Sequence, residues 1–347
     1  MKQKKMNWKE MSIGLCLVAL LAWFTFYVLL SGNSAQTLGS TFVRADIRFV
    51  SMGFACMFLF VNCEAANIRL LMRTFGKKVP YWRSLSYAFT DFYFSAITPS
   101  ATGGQPMQLY YMVRDGFGAA HSSFSLLATA AVYQMTVLVY GCVMVGANLS
   151  FVMGQGRIIR LLLVFGVLVN GFCSGLILLI IFHGLLAEKI MLCIAGGLSR
   201  AGIIKNRKRA IRKVEGLINE YSRGGAYLRQ YPLAAVRIFI HSAVQLTALY
   251  LVPYWACRAL GISASAKDFL ALQAILSLAV TAVPLPGSVG ASEGSFLVLY
   301  RTLLGAGQSF SVMLLSRGIS FYAMLCISGL ATAFLQFARR GKSASPV

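Results

Sequence analysis

The residues best placed to do chemistry in this chain lie in two short polar interruptions of apolar sequence. One reads Thr98-Pro99-Ser100-Ala101-Thr102-Gly103-Gly104-Gln105-Pro106, and the other Pro284-Leu285-Pro286-Gly287-Ser288-Val289-Gly290-Ala291-Ser292-Glu293-Gly294. Placing Pro99 on Pro286 sets Gly103 on Gly290, Gly104 on Ala291 and Gln105 on Ser292. Pro and Gly free backbone N–H and C=O groups that hydrocarbon leaves unsatisfied, so a break inside a membrane must be buried in protein or line a wet cavity. A half-helix restarting after the break offers unpaired N–H groups to an anion such as a phosphate. The expected headgroup-binding set is therefore Thr98, Ser100, Thr102, Gly103, Gly104, Gln105, Gly287, Gly290, Ser292 and Glu293. The plainer alternative is two tight turns that need Gly and Pro for geometry alone.

Ionisable residues at membrane depth cost about 2.5 to 3.5 kcal/mol at the centre of a span, so each needs a reason. Arg317 falls well inside an apolar run and is the candidate for a lipid phosphate, or else for an ion pair with Glu293 or Glu64. Asp91 sits among Phe89, Phe92, Tyr93 and Phe94. Arg237, His241 and Gln245 recur every four residues and share a helix face, giving with Asp91 a candidate polar pathway, although Arg237 is near enough to a span end to snorkel to headgroups. Glu64, Asn67 and Arg69 read as a local pair at the end of a span.

The elements that must carry these residues are membrane helices. Of 347 residues 58% are hydrophobic and 12% charged, whereas a soluble chain carries about 25% charged residues. Six stretches are long enough to cross a bilayer: 10 to 30, 47 to 68, 122 to 148, 158 to 183, 232 to 257 and 309 to 337. Regions 84 to 115 and 268 to 304 are each broken near the middle and return the chain to the side it left. With the N-terminus inside, 23 of the 32 Lys and Arg fall on cytoplasmic segments and 7 outside, which predicts both termini in the cytoplasm of a plasma-membrane protein.

In that topology the two broken regions enter from opposite faces. A first repeat, 46 to 150, and a second, 232 to 338, then form an inverted pair within one membrane domain, the arrangement whose broken helices enclose a substrate site near the midplane. Between them, 185 to 231 carries ten basic residues with apolar ones at helical spacing, the pattern of an amphipathic helix on an anionic membrane surface. No aromatic residues interleave its basic run, so no nucleic-acid partner is expected. The eight cysteines contain no C-x-x-C pair and the three histidines, His121, His183 and His241, are scattered, so neither disulfides nor a metal site are expected. There is no phosphate-binding Gly-Lys-Ser/Thr loop and no nucleophile motif, so no cofactor and no catalytic residue are expected.

At the two interruptions, from Ser95 to Pro106 and from Val283 to Gly294, the sequence resembles the membrane region of the lysylphosphatidylglycerol synthase family, also described as flippase-like. The resemblance implies an all-α polytopic protein that moves an anionic or aminoacylated phospholipid such as lysylphosphatidylglycerol between leaflets. In two-part members a separate cytoplasmic domain transfers the aminoacyl group from tRNA. Only Ala338 to Val347 follows the last predicted span, so phosphatidylglycerol lysyltransferase activity by this polypeptide alone is not expected. A non-transporting partner of a lipid or glycan synthase is the third alternative.

Overall fold

The computed structural model describes residues 45–98, 101–154, 156–182, 230–280 and 290–340. The predicted span 10 to 30, nearly all of the basic segment 185 to 231, and Ser100 and Gly287 of the two interruptions lie outside them. The described residues form helices joined by short connections, with no strand among them. Among the described residues four helices are long and apolar enough to cross a membrane: α1 (Ile47–Thr74), α4 (Ala119–Ala147), α7 (Pro232–Ala259) and the continuous run Ala306–Gln336. That run consists of α10 (Ala306–Arg317), a π-helical turn (Gly318–Ala323) and the start of α11 (Met324–Arg340). The short α5 (Leu149–Gly154) leads to α6 (Arg157–Phe182), which covers the predicted span 158 to 183.

Local chemistry sets the boundaries. Asp46 caps α1 by accepting from the Arg48 amide at 2.9 Å, and Pro232 occupies the first turn of α7, where a missing N–H costs nothing. The Asp46 amide donates to the Ala259 carbonyl, Phe49 stacks on Trp255, and Leu71 packs with Ile238. These contacts join opposite ends of α1 and α7, so the two run antiparallel side by side.

Each interrupted region contains a pair of helices that pack on each other. The first comprises α2 (Tyr81–Ile97) and α3 (Gly104–Arg114), tied where the Tyr87 hydroxyl donates to Asp115 at 2.5 Å. The second comprises α8 (Ala266–Val280) and α9 (Ala291–Leu304), tied where the Tyr300 ring meets Phe269 at 5.2 Å. At 1.5 Å per residue, none of the four reaches the roughly 30 Å of a hydrocarbon core. The returning helices start earlier than the sequence suggested. Gln105 and Pro106 belong to the first turn of α3, where Pro is tolerated, and Ser292 and Glu293 to the first turn of α9.

Packing crosses between the halves. α2 lies against α11, where a Cβ on Gly329 would meet the Tyr93 ring at 3.0 Å. α8 lies against α4, where a Cβ on Gly141 would meet Leu278 at 2.5 Å. Small residues at such crossings let helices approach closely without a hydrophobic driving force between them.

Candidate functional site: a polar cavity at mid-depth

Glu64, Asp91, Thr129 and Gln245 stand roughly ten to thirteen residues from the same end of the bundle on α1, α2, α4 and α7, which puts all four about 15 to 20 Å deep. They line a cavity of about 500 Å³ together with Ser95, Gln105, Gln108, Tyr133, Gln134 and Phe321. A volume of this size falls in the range of small-ligand sites. Among the described residues the lining holds two carboxylates and four glutamine amides and no lysine, arginine or histidine.

Gly103 and Gly104 make the cavity possible. Thr98 ends α2 and turns its hydroxyl inward, donating to the Phe94 carbonyl at 2.5 Å and accepting from the Gly103 amide at 2.9 Å. A Cβ on Gly104 would sit 2.3 Å from Asp91 Oδ1 and 2.2 Å from Ser95 Oγ, so only glycine lets α3 start directly against the Asp91 carboxyl. Across the cavity, Gln108 and Gln245 face the Glu64 carboxyl. Gln108 Nε2 and Gln245 Oε1 are buried with no hydrogen-bond partner of good geometry, as is Thr129 Oγ1. Side chains like these, buried and aimed into a polar cavity, are poised for a ligand or water.

The second interruption reaches the same place by one chain of contacts. Gly290, with φ 86°, is the N-cap of α9, and its amide donates to Glu293 Oε2 at 2.7 Å. Glu293 is 2% exposed, and its other oxygen accepts from Arg317 Nε at 2.7 Å. The Arg317 guanidinium lies over the Phe321 ring at 4.5 Å, and Phe321 packs with Phe94, Ala96 and Ile97 at the end of α2 while lining the cavity. The wider turn of the π-helix holds Arg317 and Phe321 at this junction, a setting in which such turns are often found.

Of the expected headgroup-binding residues, Gln105 lines the cavity, Gly104 borders it through Asp91, and Thr98 and Gly103 build its rim. Thr102 is exposed, and Ser292 is half-buried at the start of α9. Arg317 takes the ion-pair alternative with Glu293. The polar pathway divides: Asp91 and Gln245 enter the cavity, His241 Nδ1 pairs with Asn67 Oδ1 at 2.9 Å, and Arg237 is exposed. Glu64 departs from the expected local pair with Arg69. It faces the cavity, whereas Arg69 projects outward over the Tyr81 ring. Sequence reasoning missed Gln108, Thr129, Tyr133 and Gln134; Gln105 with Gln108 and Tyr133 with Thr129 do recur at helical spacing.

The sequence profile described as the lysylphosphatidylglycerol synthase TM region matches residues 11–328. The chain belongs to this family. Its members' membrane region thus accounts for nearly the whole chain, including both half-helix hairpins and the cavity. The chain is also similar to a UPF0104 membrane protein of Archaeoglobus fulgidus, at 24% identity over 318 residues that cover 87% of this chain and 91% of that protein. Family membership and four long apolar helices together make this a membrane protein.

Proposed function

We propose that the protein is a lipid translocase whose cavity carries the headgroup of an aminoacylated phospholipid between leaflets while the acyl chains stay in the bilayer. The observation that carries this reading is the mid-depth chamber in which Glu64 and Asp91 stand with no basic residue among the described residues of the lining. Two carboxylates at such depth are costly unless a cation joins them, and an ammonium-bearing headgroup is a cation brought by the membrane itself. The family's description names lysylphosphatidylglycerol, whose lysyl ammonium groups fit this chemistry. A bare anionic headgroup fits it less well, because Arg317 already serves Glu293.

The movement is a rocking of two inverted repeats, 46 to 150 and 232 to 338, whose hairpins are re-entrant from opposite faces. Supporting it, Gly103 and Gly290, matched by alignment, are both N-caps of the returning half-helix, and each repeat's leading half-helix packs on the last span of the other. The end carrying Arg73, Lys77, Lys78, Arg83 and Arg114 faces the cytoplasm of a plasma-membrane protein.

The test is reconstitution with labelled phospholipids. Aminoacylated phosphatidylglycerol crosses the bilayer in the presence of the protein, and Asp91→Asn and Glu64→Gln each slow it about ten-fold or more while leaving the fold intact. Equal movement of neutral and aminoacylated lipids, or no effect of either substitution, defeats the proposal.

A further inference from the structure

Between the cavity and the basic end of the bundle, buried polar side chains continue along the helices that enclose it. On α4, Thr129 is followed at helical spacing by Ser125 and Ser122; on α7, Gln245 is followed by Ser242 and His241; on α1, Glu64 is followed by Asn67. Ser122, Ser125, Ser242 and Asn67 are each 0% exposed. The hydroxyls of Ser122, Ser125, Thr129 and Ser242 and the Asn67 amide Nδ2 have no hydrogen-bond partner among the described residues.

This is not the usual resting state of a helical hydroxyl. Thr136 on the same α4, Thr90 on α2 and Thr247 on α7 each donate to the carbonyl four residues back, at 2.8 Å. The hydroxyls of the column forgo that bond. Each buried polar group left unsatisfied costs about 1 to 3 kcal/mol, a cost that water threading between the helices would remove by bonding them. The Asn67–His241 hydrogen bond ties α1 to α7 within this column, one turn from Glu64.

We propose that the column is a proton path joining the basic face to the Glu64 and Asp91 pair, and that headgroup translocation is an exchange of ammonium for protons at that pair. The inference rests on the translocase reading for its cargo and on the column for its proton. Glu64 and Asp91 act on each other electrostatically across the cavity, and Tyr133 of α4 stands within reach of both, with Tyr250 of α7 behind it. Cys63 on α1 adjoins Glu64, and Tyr87 and Tyr93 on α2 lie within one helical turn of Asp91. From the last span Arg317 and Tyr322 turn to Glu293, and His241 sits in the column. None of the basic residues among the described ones lines the cavity beside the pair.

When the ammonium leaves toward the opposite leaflet, a hydronium from the water on that side gives up one O–H bond as a carboxylate oxygen forms one. When the next ammonium arrives from the basic side, that O–H bond breaks and the proton leaves to water along the column. Chains of Asp, Glu and His with bound water are the usual means of carrying protons through membrane proteins.

The full chain is reconstituted in vesicles with trapped pyranine and labelled aminoacylated phosphatidylglycerol. Lipid movement is expected to be matched by proton movement in the opposite sense. Ser125→Leu, which fills the column with an apolar side chain away from the carboxylates, is expected to slow both by roughly ten-fold or more, with Ser122→Val serving if that variant fails to fold. In parallel, Ser125→Cys is expected to take up a water-soluble thiol reagent as one label more than the parent protein, whereas Val139→Cys on the outer surface of α4 does not. Lipid movement without proton movement overturns the proposal, and so does a Ser125→Cys as unreactive as Val139→Cys. If no lipid moves, the translocase reading fails by itself; labelling of Ser125→Cys together with proton flow along an imposed pH gradient then still supports the path, and absence of either overturns it.

Discussion

A single added methyl group at Gly104 tests how the cavity is built. Alanine there places a Cβ 2.2 Å from Ser95 Oγ, 2.3 Å from Asp91 Oδ1 and 2.9 Å from the Asp91 backbone oxygen. Ser95 can rotate away and the Asp91 carboxyl can swing, but the backbone oxygen of α2 moves only with its helix. Overpacking of this kind costs about 1 to 3 kcal/mol, or roughly 5- to 150-fold in the folding equilibrium. Two other glycines calibrate the measurement. A Cβ on Gly141 would meet only the Leu278 side chain, at 2.5 Å, and one on Gly146 would meet nothing within 4 Å. Reversible unfolding in mixed micelles should therefore rank Gly104→Ala below Gly141→Ala and Gly141→Ala below Gly146→Ala, the last gaining up to about 1 kcal/mol from helix propensity. Gly104→Ala should also lose affinity for aminoacylated lipid, because the shift of α3 displaces Gln105 and Gln108 from the cavity wall. A Gly104→Ala protein as stable and as competent as Gly146→Ala would refute the close approach of α3 to Asp91.

Arg317→Met leaves Glu293 buried without its partner and should cost about 3 to 5 kcal/mol; adding Glu293→Gln should recover much of that loss, and strictly additive losses in denaturant titrations would contradict the pairing. Asn67→Leu removes the partner of His241 and should destabilise by about 1 to 3 kcal/mol in the same assay. Arg237→Gln changes an exposed side chain outside the cavity lining and should leave the affinity for aminoacylated lipid unchanged in a binding titration.

The helix starts after the two interruptions were legible in the sequence because Pro and Gly inside apolar runs have few physical meanings, and Gly103 and Gly290 are both N-caps. Asp91 stood out for a similar reason, as a charge among aromatic residues. Glu64 was harder. Its neighbours Asn67 and Arg69 offered a local explanation, and only the tertiary meeting of α1 with α3 and α7 turns it toward Gln108 and Gln245. Arg317 carried two readings that sequence left open, and the distance of 2.7 Å to Glu293 favours the pair. Gln108, Thr129 and Gln134 are polar residues within otherwise apolar helices, unremarkable singly. Their convergence depends on helix rotation, which apolar periodicity fixes poorly in a membrane protein because both lipid and core are apolar.

The most direct measurement is the position of a bound lipid in an experimental structure determined with aminoacylated phosphatidylglycerol. The account predicts headgroup density inside the cavity, with an ammonium nitrogen within salt-bridge distance of Glu64 and Asp91 and the acyl chains leaving toward the bilayer. A headgroup held elsewhere on the bundle, with these two carboxylates untouched, would contradict it.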